Sequence, residues 1–176
     1  MGYDLYIRGG EQSQDDGYYR FNIWGMGRWR ELAIKLDLLD FETENPFAGD
    51  WDREVEAHRR EGRMETDEDG DERLPREVVR ALLGRESEGG RVPAFKFGSN
   101  DGWIVTPAEC MMLDEALRSD EAKALVVELW GAEAGRQAEG SGQSTEQVLG
   151  GADRYMRADF AAFCARAAKA EGFEVY

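Results

Sequence analysis

The residues of this chain that could do chemistry fall into a few small sets, and each set lacks a part. YYRFNIWGMGRWRELAIKL, residues 18–36, runs an aromatic strand into Gly25-Met26-Gly27 and then into an amphipathic helix. A strand, a Gly-x-Gly and a helix are parts of a dinucleotide site, where small residues let the backbone approach the pyrophosphate. The third glycine's place is taken by Arg30, preceded by Trp29, and that bulk blocks the approach. No Walker-type Gly-Lys-Ser/Thr occurs. Arg28 and Arg30 stand in the helix's first turn, where the macrodipole disfavours cations. Pairing with nearby carboxylates is the expected remedy, a bound anion the other.

METDEDGDERLPR, residues 64–76, has the start of a calcium loop. With Gly70 as the obligatory glycine, Glu65, Asp67 and Asp69 take the first, third and fifth positions. The twelfth position is then Arg76 and the eleventh Pro75, so the bidentate carboxylate that closes an EF-hand is missing. No metal is expected there; the segment reads as a solvated acidic loop or a partner-binding surface. The lone histidine, His58, has Glu54 four residues before it, which suits an ion pair on a helix face and no multi-histidine metal site. Cys110 and Cys164 fall on apolar helical faces, where a small core hydrophobe is the default. Their distance in sequence suits neither a disulfide framework nor a metal-ligand pair, and a reducing cytoplasm is the expected location. There is no Gly-x-Ser-x-Gly elbow, and with 37 carboxylates none is singled out as catalytic. Neither a catalytic residue nor a cofactor is expected.

Charge points elsewhere. The chain has 22 basic and 37 acidic residues, a net charge of −15, and residues 41–75 alone hold 13 acidic against five basic. Such a surface repels nucleic acid and anionic membranes and attracts basic proteins. Trp51, in the polar run AGDWDRE, serves either as a lid over the core or as an interface anchor, whereas Trp24, Trp29, Trp103 and Trp130 lie on apolar faces and are assigned to the core. The candidate partner-binding set is therefore Trp51, Glu65, Asp67, Glu68, Asp69, Asp71 and Glu72.

The elements that must position these residues follow from local pattern. A chain of 176 residues fits one domain, 1–176, with an acidic insertion at 41–75 and a polar, flexible loop at 133–152. MGYDLYIRGG has no basic start or apolar stretch of signal-peptide type, and no run of eighteen apolar residues suggests a membrane span. Residues 3–8 and 18–24 read as a hairpin around GGEQSQDDG, followed by a helix from Met26 to Leu36 and another over 75–84. Residues 92–105 read as two short strands turning at Asn100-Asp101-Gly102. Thr106-Pro107-Ala108-Glu109 is a capping box with Pro at the first helical position, and Ser119 caps a helix to Trp130. A last helix, 153–171, carries Met156, Phe160, Phe163 and Ala167 on one stripe before Gly172 and a closing strand. The fold class is α+β: a small, mostly antiparallel sheet packed against several helices.

GYDLYI, NIWGMG, SNDGWIVTPAEC and GFEVY together resemble a family of small bacterial and phage-borne hypothetical proteins. The likeness covers the scaffold, about half of the chain, and implies no activity. Small acidic proteins without catalytic motifs also look, by composition, like immunity proteins and anti-defence inhibitors. The functional expectation is a non-catalytic binding protein that occludes a basic, nucleic-acid-handling partner. A carboxylate-based enzyme on a small polar substrate and a phage or bacterial assembly component are the alternatives.

Overall fold

The computed structural model describes residues 2–9 and 17–176, so most of the expected GGEQSQDDG turn lies outside the described residues. The strands, in chain order, are β1 (Gly2–Ile7), β2 (Tyr18–Asn22), β3 (Leu39–Asp40), β4 (Glu65–Thr66), β5 (Glu72–Arg73), β6 (Val92–Pro93), β7 (Trp103–Val105) and β8 (Phe173–Val175). The helices are α1 (Ile23–Lys35), α2 (Asp50–Arg60), α3 (Arg76–Leu83), α4 (Pro107–Arg118), α5 (Asp120–Ser141), α6 (Thr145–Asp153) and α7 (Asp159–Ala167). This is the expected α+β class.

Alternation decides which sheet face is covered. The main sheet has the order β2-β1-β8-β7, with every neighbouring pair antiparallel. Leu5, Phe21, Trp103, Val105, Phe173 and Val175 share one face and are buried, because side chains opposite one another in register point the same way. Helices α1, α4 and α7 supply the other half of this core through Met26, Trp29, Leu113, Leu117, Phe160 and Phe163. The Trp29 ring lies 4.4 Å from Phe97 and 5.3 Å from Phe160, tilted and edge-on, as ring quadrupoles prefer. The opposite sheet face carries Asp4, Tyr6, Tyr18 and Glu174, joined by an Arg8–Glu174 ion pair at 3.1 Å and a Tyr6–Tyr18 ring contact at 5.2 Å.

The local signals near residue 106 hold. Thr106 Oγ1 accepts from the Glu109 amide and the Glu109 carboxylate accepts from the Thr106 amide, while Ser119 caps α5. Gly102 takes a φ of +76°. Gly172 ends the last helix at φ +80°, so close to β7 that a Cβ there would stand 2.0 Å from the Val105 carbonyl oxygen.

Several expectations are corrected. Gly25-Met26-Gly27 is not a turn but the first turn of α1, which starts at Ile23 because Asn22 Oδ1 accepts from the Gly25 amide at 2.6 Å. Gly25 is small for a packing reason: a Cβ there would lie 2.8 Å from the Tyr155 ring. Tyr155 is held in place by donating to the Arg20 carbonyl at 2.7 Å and accepting from the Asn22 amide at 3.1 Å. Trp24 is 79% exposed rather than core, since five residues set it about 140° round the helix from Trp29. Residues 92–105 do not form a hairpin: β6 pairs in parallel with β3, and Ala94–Phe97 is a 3-10 turn. β7 instead pairs with the C-terminal β8, which brings Phe173 and Val175 into the core layer beside it.

The polar stretch 133–152 is not a loop either. Helix α5 continues to Ser141, and α6 begins at Thr145 behind a Ser144–Gln147 capping box. Ala, Glu, Gln and Arg are good helix formers and outweigh the scattered glycines, while Ala134 is buried and Glu133 accepts from Arg28. That ion pair is the carboxylate partner expected for Arg28. A π-helical turn, Arg154–Ala158, connects α6 to α7 and keeps Met156, Phe160, Phe163 and Ala167 buried on one stripe.

Candidate functional site

The insertion 41–75 carries regular elements: a 3-10 turn, helix α2 and the paired β4 and β5. Asn45 caps a 3-10 turn, Pro46–Ala48, by accepting from the Phe47 amide at 2.9 Å. Helix α2 follows, and Arg85, just past α3, reaches Asp50 at 2.6 Å and so ties the start of α2 to the end of α3. That hydrogen bond from Arg85, with the charge of Arg53 nearby, holds the Asp50 carboxyl below its usual range. His58 is buried, its Nδ1 3.0 Å from the Glu54 carbonyl oxygen and 3.5 Å from the Glu54 carboxylate.

The acidic run itself folds as a β-ribbon. β4 and β5 pair antiparallel, with Glu65 opposite Arg73 and Thr66 opposite Glu72. Asp67 organises the connecting turn: its carboxylate accepts from the Asp69 amide at 3.1 Å and the Asp71 amide at 2.9 Å, while Gly70 takes φ +89°. The six expected carboxylates therefore split into three kinds. Glu65 pairs with Arg73 at 3.6 Å and Glu72 with Arg59 at 3.0 Å, so both are partly neutralised from within. Asp67 is committed to the turn. Glu68, Asp69 and Asp71 are exposed at the tip and have no ion pair among the described residues.

Trp51 stands on α2 rather than on the ribbon. It is half-buried, its ring 5.1 Å from Phe47, whose ring is in turn 5.1 Å from the buried Trp103. Beyond it opens a groove of about 520 Å³ between α2, the ribbon and α3. Trp51, Val55 and Arg59 line it from α2 at four-residue spacing, and Arg76, with Val79 and Arg80 three and four residues on, lines it from α3. Met64, Glu72, Arg73 and Leu74 complete the wall. Only Trp51 and Glu72 of the expected partner-binding set reach this groove. The arginines and their apolar neighbours went unseen because net charge averages over faces; the four-residue spacing of Trp51, Val55 and Arg59 was the available signal.

Polar residues also gather elsewhere. A shallow groove is lined by Arg8, Glu77, Arg80, Thr106 and Glu171, with Arg8 and Glu171 3.9 Å apart. Inside the fold, Lys96 is completely buried with its Nζ 2.9 and 2.7 Å from the two oxygens of Glu109. Burial pushes the Lys96 ammonium down and the Glu109 carboxyl up, and their mutual attraction opposes both shifts. This pair was not anticipated; Lys96 between two phenylalanines in AFKF was its only trace. Cys110 and Cys164 are buried as expected, and burial pushes both thiols up, away from the reactive thiolate.

Among the described residues no group of three or more His, Cys, Asp or Glu is placed to hold a metal ion. Among them, too, no helix is long and apolar enough to cross a membrane. Set against protein-family models, curated proteins and solved structures, the chain matches none.

Proposed function

We propose that the protein acts by binding rather than by catalysis, presenting the acidic ribbon to a basic, nucleic-acid-handling protein and denying that partner its substrate. The observation that carries this reading is the tip: Glu68, Asp69 and Asp71 are exposed, with no ion pair among the described residues, on a turn that Asp67 fixes through two amides. A fixed turn presents its carboxylates without the ordering cost that a loose acidic tail incurs on binding. The chain as a whole, at −15, sets up a long-range field of the same sign that steers a basic partner and repels nucleic acid. Such a device is of the anti-defence or immunity type.

The test is capture of partners from the native host by the tagged chain, followed by binding kinetics. A basic partner whose association rate falls steeply between about 0.1 and about 1 M salt supports the reading, since the screening length shrinks from about 10 to about 3 Å over that range. A Glu68→Gln/Asp69→Asn/Asp71→Asn variant should associate more slowly and dissociate at a similar rate. Equal association of variant and wild type at low salt rules the mechanism out.

A further inference from the structure

Four arginines on a chain of this charge have gathered at one groove. Arg59, Arg73, Arg76 and Arg80 line the same 520 Å³ space with one acidic residue, Glu72, so the local balance is opposite in sign to that of the chain. Their engagement differs. Arg59 is held by Glu72 and Arg73 faces Glu65, but the guanidinium groups of Arg76 and Arg80 have neither an ion pair nor a hydrogen bond among the described residues. They stand one turn apart on α3 with Val79 between them on the same face. Other arginines of this surface have carboxylates, as Arg85 with Asp50, Arg91 with Asp37 and Arg118 with Asp114, while Arg30, Arg60 and Arg136 have none among the described residues and line no apolar floor of this kind.

The floor is apolar. Trp51, Val55, Met64 and Val79 are half-buried and Leu74 is buried, which leaves a hydrocarbon surface only partly out of water. The volume falls within the ~300–1,000 Å³ of small-molecule sites. An apolar floor removes a ligand's hydrocarbon body from water, and a guanidinium fork matches the paired oxygens of a carboxylate or phosphate. Met64 adds an unbranched, adaptable wall that accepts more than one body shape.

We propose that this groove binds a small amphiphilic oxyanion as a free monomer: an alkyl or aryl body laid along Trp51, Val55, Met64 and Val79, with its carboxylate or phosphate between Arg76 and Arg80. A membrane source is disfavoured because the chain's net charge of −15 opposes approach to an anionic bilayer. Glu68, Asp69 and Asp71 do not line the groove, and the proposal does not depend on the occlusion reading.

The test uses the full chain labelled with nitrogen-15 and titrated with octyl phosphate below its aggregation concentration, with octanol and inorganic phosphate as controls. Trp51→Phe assigns the Trp51 indole signal. Saturable shifts at that indole and at Val55, Met64 and Val79, with octyl phosphate at least tenfold tighter than either control, are the expected result. Arg76→Gln/Arg80→Gln should remove that tenfold preference while leaving octanol binding and the dispersed spectrum of the fold unchanged. Neutralising Glu68, Asp69 and Asp71 should leave octyl phosphate binding in place, which separates this site from the tip. Equal affinity for octanol and octyl phosphate, shifts that miss Trp51, absence of saturation, or an unchanged preference in the arginine variant would each overturn the proposal. So would co-sedimentation with anionic phospholipid vesicles in place of monomer binding.

Discussion

Lys96 is buried within the fold against Glu109, its Nζ 2.7 Å from Oε2, and the same Oε2 accepts from the Thr106 amide at 2.9 Å. One carboxylate thus neutralises a buried cation and closes the capping box of α4. Removing one member of a buried pair leaves an unpaired charge in a low-dielectric site, whereas removing both charges does not. Lys96→Met should therefore cost about 3–5 kcal/mol in urea unfolding. Lys96→Met/Glu109→Gln should recover most of that, because glutamine still offers an oxygen to the Thr106 amide. A double variant as unstable as the single one would show that packing of the lysine stem, not charge, is what the site supplies.

Gly172 and Gly27 should respond in opposite directions to the same substitution. A Cβ on Gly172 meets the Val105 carbonyl at 2.0 Å and the backbone there has φ +80°, so β8 could not keep its register against β7 without a shift. Gly172→Ala should destabilise by about 2 kcal/mol or more from the left-handed backbone and the overpacking. Gly27 lies within α1 with nothing within 4 Å of its Cβ position, and Gly27→Ala should stabilise by about 1 kcal/mol. Thermal midpoints of the two variants decide the matter, and a stabilising Gly172→Ala would mean that the last strand is wrongly placed.

Asp40 should make stability depend on pH. Hydrogen bonds from the Thr43 hydroxyl at 2.5 Å and the Glu42 amide at 2.9 Å hold its carboxyl below the usual 3.8, with Arg91 adding a smaller pull. A carboxyl whose folded pKa is depressed binds its proton more weakly folded than unfolded. Its stabilisation is complete above the unfolded value and is lost as pH falls through the folded one. The gap in urea midpoint between wild type and Asp40→Asn should accordingly be present at neutral pH and close as the acid side of that window is crossed. A gap that stays constant with pH would assign the effect of the substitution to geometry alone.

What was legible in the sequence was what neighbours along the chain decide. The Thr106–Glu109 box, the Ser119 cap and the Met156, Phe160, Phe163, Ala167 stripe are local, and each is present. Pairing between distant segments was not legible. β7 could extend a hairpin with residues before it or take β8 from the far end, and the Trp103–Val175 and Val105–Phe173 register brings four buried apolar residues together. At the candidate site Trp51 and the ribbon carboxylates could be named, but the groove could not. Its arginines come from α2, β5 and α3, elements distant in sequence, and Arg85 ties α3 to Asp50 at the start of α2.

The tip should lose its shape and its charge through different substitutions. Asp67 accepts from the amides of Asp69 and Asp71, whereas Glu68, Asp69 and Asp71 extend their own carboxylates into solvent. Asp67→Ala removes the turn's acceptor, so amide hydrogen exchange at Asp69 and Asp71 should speed up while the core strands keep their protection. Neutralising Glu68, Asp69 and Asp71 removes only like-charge repulsion. It should leave exchange at those amides unchanged and raise the thermal midpoint slightly at low salt, a gain that added salt erases by screening. In partner binding the two variants should then separate: the neutralised tip lowers the association rate at low salt, and Asp67→Ala, which lacks one charge but also a fixed turn, additionally raises the dissociation rate. If Asp67→Ala changes neither exchange nor dissociation, the turn is not fixed by that carboxylate and the ribbon offers a partner no preformed surface.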